Sequence, residues 1–201
     1  MIRRTFVSLD IPTFRCLFKT MVRPHLEYAQ SVWSPYMKKD ILTVENVLRR
    51  ASKKLPGLKD HSYPERLKAL DIPSMVYRRI RGDMIETFKI INSYYDEAVN
   101  IALERNTGPT RGNSKKLAKG RCRTKKRQMN FRSRIVDIWN SLPNDVVEAG
   151  SVLSFEKLLD RYWKNQPVKF NFEEKLIITP GHHISLYSDE QDPEDDLDIE
   201  A

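Results

Sequence analysis

The chain has 201 residues, with 35 Lys+Arg against 27 Asp+Glu, a formal charge of +8 and a sequence pI of about 9.4. That length suits one domain able to bury a core without disulfides or metal. No apolar run approaches the roughly 18 residues of a membrane span, there is no signal-peptide pattern behind Met1 and no lipidation motif, and the two cysteines, Cys16 and Cys122, stand far apart without His or Cys at metal-ligand spacing.

Thr13 is placed to cap a first helix, with Phe14, Leu17, Phe18, Met21 and Val22 at three- and four-residue spacing. Pro24 predicts a kink or a fresh start, followed by Leu26, Tyr28, Ala29, Val32 and Trp33 up to Pro35. Asp40 is the expected cap of a third helix with Ile41, Val44, Leu48, Ala51 and Leu55 as its buried stripe. Arg49, Arg50, Lys53 and Lys54 fall off that stripe near the helix end, where they suit either the helix dipole or a phosphate. Ser62 and Glu65 have capping-box spacing ahead of a short helix that Pro73 stops. From Ser74 to Asn92 the spacing predicts a long helix, with Met75, Val76, Ile80, Met84, Ile85, Phe88 and Ile91 inward and Arg78, Arg79 and Arg81 off that face. Gly82 within it is expected to permit close approach of a neighbour. A short helix is expected over 94–105, another from the Asn130 cap to Pro143, and a last one after Ser151 or Ser154. Alternation in Val168 to Phe172 predicts a short strand, and the acidic Ser188 to Ala201 a disordered tail.

The charge is unevenly spread. Up to Asn165 there are 33 Lys+Arg against 17 Asp+Glu, whereas the remaining residues hold 2 against 10. Between Arg105 and Ile135 the cations Arg105, Arg111, Lys115, Lys116, Lys119, Arg121, Arg123, Lys125, Lys126, Arg127, Arg132 and Arg134 occur without an Asp or Glu. A solvated linker is one reading of such a run. Against it, Leu117, Cys122, Met129 and Phe131 supply apolar anchors, and Gly112 and Gly120 are spaced like turns around a small basic hairpin within Lys115 to Arg127. The expected partner is a polyanion: RNA, DNA or an RNA–DNA hybrid, with no membrane partner. Candidate binding residues are Arg111, Lys115, Lys116, Lys119, Arg121, Arg123, Lys125, Lys126, Arg127, Arg132 and Arg134, with Arg78, Arg79 and Arg81 as a second patch. Phe131 is a candidate for base stacking.

Arg23-Pro24-His25-Leu26-Glu27-Tyr28-Ala29 with Val32-Trp33-Ser34-Pro35-Tyr36 resembles the segment that follows the catalytic palm in reverse transcriptases of non-LTR retrotransposons, the jockey and CR1-like LINE group. Tyr77 to Lys89 is similar to that family's arginine-rich helix. Phe131, Arg134 and Trp139-Asn140-Ser141-Leu142-Pro143 resemble its distal signature, and Ser154-Phe155 through Tyr162-Trp163 its closing helix. The resemblance spans Pro12 to Trp163. It implies the thumb and C-terminal region of an RNA-directed DNA polymerase, which grips the template–primer duplex, and a separately encoded palm as a conceivable partner.

The chain departs from that family where chemistry is concerned. The aromatic-x-Asp-Asp turn that would hold the metal ions of polymerisation is absent, and Asp195-Asp196 sits in the acidic tail without an apolar strand to fix it. Palm and endonuclease segments are missing, so the expectation is the 3′ remnant of a 5′-truncated element or part of a fragmentary gene model, not an enzyme on its own. His182-His183 lacks further ligands for a metal, Cys16 reads as a packed thiol, Trp33, Trp139 and Trp163 read as core, and no cofactor is expected. The fold expected is mainly α: a bundle-like helical region over 1–104, a basic hairpin and C-terminal helices of the same domain over 105–165, and a tail over 166–201, disordered from 188. Location in the nucleus or cytoplasm fits the free cysteines. The function expected is non-catalytic nucleic-acid binding, and the alternative is an inert or protein-interaction remnant of a retroelement.

Overall fold

A computed structural model describes residues 9–96, 103–106, 108, 112–179 and 181–186. The first helix begins one turn earlier than its sequence suggests: Asp10, not Thr13, is the cap, accepting from the Thr13 N–H at 2.9 Å. This helix, α1 (Ile11–Leu17), runs into a π turn over Phe18–Val22, where the Arg23 N–H reaches back to the Phe18 carbonyl. Pro24 explains the widening, because its ring cannot coexist with a regular α-helical turn above it. The chain resumes as α2 (Arg23–Glu27), then Ala29 takes a left-handed φ of 50° and starts α3 (Gln30–Trp33), so Leu26 and Val32 do not share one continuous helix. Tyr28 and Val32 are consequently 80% and 84% exposed, and Trp33, expected in the core, is 41% exposed with its indole N–H donating to the Tyr28 carbonyl.

Helix α4 (Lys38–Ser52) buries Ile41 and Leu48 as its spacing requires, but Met37 caps it and Asp40 lies in its first turn. The Ser62–Glu65 capping box forms at the head of α5 (Tyr63–Leu70), where the Ser62 N–H donates to Glu65 at 2.7 Å. Ser74 caps α6 (Met75–Ile91), accepting from the Tyr77 N–H and donating to the Val168 carbonyl at 2.7 Å.

Helix α6 is the axis of the molecule. Packed on it are α3, α4, α8 (Phe131–Asn140), α10 (Val152–Tyr162) and a 3₁₀ turn over Pro167–Lys169. Two short helices, α7 (Lys125–Gln128) and α9 (Asn144–Val147), complete the helical set among the described residues. Asn130 caps α8 as expected from sequence, and of the two serines that could start the last helix Ser151 caps α10. The apolar period of α6 meets aromatic rings from the C-terminal helices: Phe88 stacks on Phe155 at 4.4 Å, Trp139 lies 6.0 Å from Phe155, and Tyr77 meets Trp163 edge-on at 6.0 Å. At Gly82 a Cβ would collide with the side-chain amide of Gln30, so the glycine allows α3 to lie close on α6.

One buried cluster runs from Phe14 to Ile178. Residues grouped with the tail by sequence, Val168, Phe172, Leu176 and Ile178, belong to it. The expected strand at Val168 to Phe172 is replaced by the 3₁₀ turn: Val168 and Phe172 are both buried, and their four-residue spacing lets a turn that Pro167 favours point both inward. Strand pairing occurs later, between β1 (Leu176–Thr179) and β2 (His182–Ile184), with Gly181 at φ 82° in the connection. His182 and His183 are exposed on β2, not in a loop. The described parts of 94–105 are not helical, and Ser188 to Ala201, including Asp195 and Asp196, lies outside the described residues.

Candidate nucleic-acid interface

The basic run is fastened to the body over its first third. Asn113 is buried and its amide donates to the Trp139 and Leu142 carbonyls at 2.9 and 3.1 Å, satisfying acceptors that the end of α8 leaves open. The Trp139 indole N–H donates to the Lys115 carbonyl at 2.8 Å. Asn140 then treats Leu117 as a strand partner, accepting from its N–H at 2.8 Å and donating to its carbonyl at 2.9 Å. Leu117 itself is buried. Its neighbours face the other edge, where the Asn106 N–H donates to Lys116 at 2.9 Å and the Ala118 N–H to Glu104 at 2.8 Å. Two-stranded pairing in the run therefore joins 104–106 to 116–118, earlier than the hairpin expected within Lys115 to Arg127, because Asn140 and the 104–106 segment already hold both edges of Leu117. The stretch Trp139-Asn140-Ser141-Leu142 is thus a clasp for the basic segment, a role its helical spacing does not announce.

Beyond Ala118 the segment is exposed. Arg121, Arg123, Arg127 and Arg132 reach solvent with no acidic partner among the described residues, and Lys125 and Lys126 are exposed beside them on α7. Lys119 is 67% exposed and pairs with Asp137 at 2.6 Å, a surface contact that holds it weakly. Lys115 is half-buried and donates to Asn92 at 2.7 Å, and Lys116 is half-buried too. Arg111 lies outside the described residues.

The other candidates are occupied. Arg134 forks onto Asp83 at 2.8 and 2.9 Å and also donates to the Met129 and Ser31 carbonyls, tying α8 to α6 and to α3. Arg78 forks onto Glu27 at 2.8 Å through both bonds, and Arg81 onto Asp160 at 2.7 and 2.9 Å with a further bond to Glu156. These bidentate pairs consume the planar donor faces that a phosphate would need. Burial alone would lower the Arg81 pKa, yet its bonds to Asp160 and Glu156 outweigh that and hold it above the ordinary value. Phe131 is 7% exposed, with the Arg134 guanidinium 5.4 Å from its ring centre, so little of the ring is open to a base. Cys16, expected to be packed, is exposed.

Two buried charges lie under the arginine helix. Glu45 accepts from the Tyr63 hydroxyl at 2.6 Å and the Met75 N–H at 2.9 Å, and burial raises its pKa against both bonds. Arg79 is 4% exposed, and burial lowers its pKa to about 10 despite the nearby Glu45 and Asp83 carboxylates. It stays charged at neutral pH, while its Nη1 has no hydrogen-bond partner among the described residues. Arg79, Arg134 and Asp83 belong to the wall of a cavity of about 660 Å³ whose mouth includes Lys119 and Arg121.

Among the described residues no cluster of three or more His, Cys, Asp or Glu is placed to hold a metal, and no helix is long and apolar enough to cross a membrane. Compared with protein-family models, with curated proteins and with solved structures, the chain matches none of them.

Proposed function

We propose that this chain is a non-catalytic nucleic-acid-binding module, similar to the thumb and post-thumb region of a non-LTR retrotransposon reverse transcriptase, that grips template–primer backbone through Lys and Arg. The observation that carries it is the contrast within one basic population. Arg78, Arg81 and Arg134 are locked into carboxylate forks inside the protein, whereas Arg121, Arg123 and Arg127 project from a segment clasped to the body at Asn113, Lys115 and Leu117, and Arg132 from the first turn of α8 that follows it. A clasped cationic strip loses less conformational freedom on meeting phosphate than a free linker would. Phosphate neutralisation by such a strip is insensitive to base sequence.

The test is a salt titration of binding to an RNA–DNA hybrid, a DNA duplex and single-stranded RNA. With about five phosphate contacts, the slope of log affinity against log salt on duplex should be about −4 to −5. Absence of salt-dependent binding to all three overturns the proposal.

A second reading has its own observation. Tyr28 and Val32 are 80% and 84% exposed, and Met21 and Trp33 in the same stretch of chain are 52% and 41% exposed. An apolar surface of this kind fits a protein partner such as a polymerase palm, or a remnant left without one. Replacing Tyr28 and Val32 with Lys and Glu separates the two: this reading requires that association or aggregation of the purified chain disappears while nucleic-acid binding persists.

A further inference from the structure

We propose that the cavity between residues 34–36, α6, α8, the basic segment and residues 184–186 binds a single unpaired nucleotide, with the base inside and the phosphate at the mouth. This deepens the nucleic-acid reading above by giving it one defined subsite. At about 660 Å³ the cavity falls within the usual range for small-ligand sites. Its walls supply Tyr36, Ile80, Met129, Val136 and Leu186, an apolar lining suited to a flat ring.

The charges in the wall say where each part of the ligand goes. Arg134 is paired with Asp83 and Lys119 with Asp137, which leaves Arg79 and Arg121 as the lining cations that form no salt bridge among the described residues. Arg79 is 4% exposed, the Glu45 and Asp83 carboxylates are near enough to act on its charge, and its Nη1 has no hydrogen-bond partner among the described residues. A neutral acceptor, such as a base carbonyl or ring nitrogen, placed against the Arg79 guanidinium where it lines the cavity adds no uncompensated negative charge to a buried site. Arg121 is exposed at the mouth with no carboxylate partner among the described residues, and there a phosphate is matched in charge and remains partly hydrated. The ligand chemistry is that of a nucleoside monophosphate, either free or as the unpaired end of a strand.

The chain carries its own reporter. Cys122 lines the cavity, half-buried with its Sγ 3.3 Å from the Ser133 hydroxyl, while Cys16 is exposed on α1 and serves as the internal control. The experiment measures maleimide labelling of each cysteine by peptide mass spectrometry. It is run with no addition, with AMP, UMP, CMP or GMP, with a blunt RNA–DNA hybrid, and with the same hybrid carrying a single-stranded overhang. At a ligand concentration about ten times Kd, labelling of Cys122 should slow about tenfold, in proportion to the fraction of empty cavities, and Cys16 should be unaffected. Overhang hybrid but not blunt hybrid should protect if the occupant is a strand end, and a free monophosphate should protect if it is not.

Gly120 at the mouth has open space where a Cβ would stand, so Gly120→Trp obstructs the entrance without disturbing the core. That variant should label at the same rate with and without ligand while its circular dichroism is unchanged. If the overhang hybrid binds in a mobility shift but neither it nor any monophosphate protects Cys122, the subsite is refuted and the phosphate-gripping function stands. Protection by a monophosphate without binding of any strand refutes that function and supports the subsite. Failure of both arms removes both.

Discussion

Asn140→Asp isolates the clasp with the smallest change. The side chain keeps its shape and its Oδ1 still accepts from the Leu117 N–H, but the amide that donated to the Leu117 carbonyl at 2.9 Å becomes a second acceptor facing it. Leu117 is only 2% exposed, so water does not readily replace the lost donor. The lost bond and the acceptor left unpaired should together cost about 2 to 4 kcal/mol. Local release of 113–118 offers the protein a cheaper escape, so the loss should appear first as faster amide exchange at Lys115, Leu117 and Ala118, and then as a lower urea midpoint followed by far-UV circular dichroism. Unfolding free energy within about 0.5 kcal/mol of wild type, the range of ordinary surface substitutions, with unchanged exchange at Leu117, would refute the clasp. The basic segment would then be a solvated linker.

Other perturbations test the rest of the scaffold. Arg134→Met leaves Asp83, whose side chain is 8% exposed, without its partner and should destabilise the fold by about 3 to 5 kcal/mol, and Arg134→Met with Asp83→Leu should recover much of this in chemical denaturation. Burial raises the Glu45 pKa above its ordinary 4.5, so the folded state holds that proton longer than the unfolded chain. Its contribution to stability is fully present below pH 4.5 and is lost as pH rises through the higher folded value, so Glu45→Gln should remove that fall when unfolding is measured from pH 4 upward. Deleting Ser188 to Ala201 removes a run rich in Asp and Glu and should tighten nucleic-acid binding at low ionic strength, read by fluorescence anisotropy.

Most local signals with a short reach were readable in the sequence, although the Thr13 and Asp40 caps each fell one turn inside the helix they were expected to start. The Ser62–Glu65 box, the Asn130 and Ser151 caps and the long apolar period of α6 all formed where the residues place them, because each depends on neighbours three or four positions away. Long-range pairing was not readable. Nothing in the spacing of Trp139-Asn140 says that the two side chains reach back to Lys115 and Leu117, and nothing in Arg78, Arg81 or Arg134 says which carboxylate will take each guanidinium. Charge composition located the basic segment but did not separate exposed arginines from paired ones, since an arginine off the apolar face of a helix is equally suited to pinning a neighbouring helix. The region after Pro24 misled for a related reason. One π turn and one left-handed residue, Ala29, rotate α3 so that apolar spacing no longer means burial.

The account stands on the division between exposed and locked arginines, and one comparison tests it directly. Arg121, Arg123, Arg127 and Arg132 are changed together to Gln, and the salt dependence of RNA–DNA hybrid binding is measured beside wild type. Losing up to four phosphate contacts should reduce the magnitude of the slope by about 3 to 4, with the thermal unfolding midpoint unchanged. The same affinity and the same slope in the variant would contradict the account.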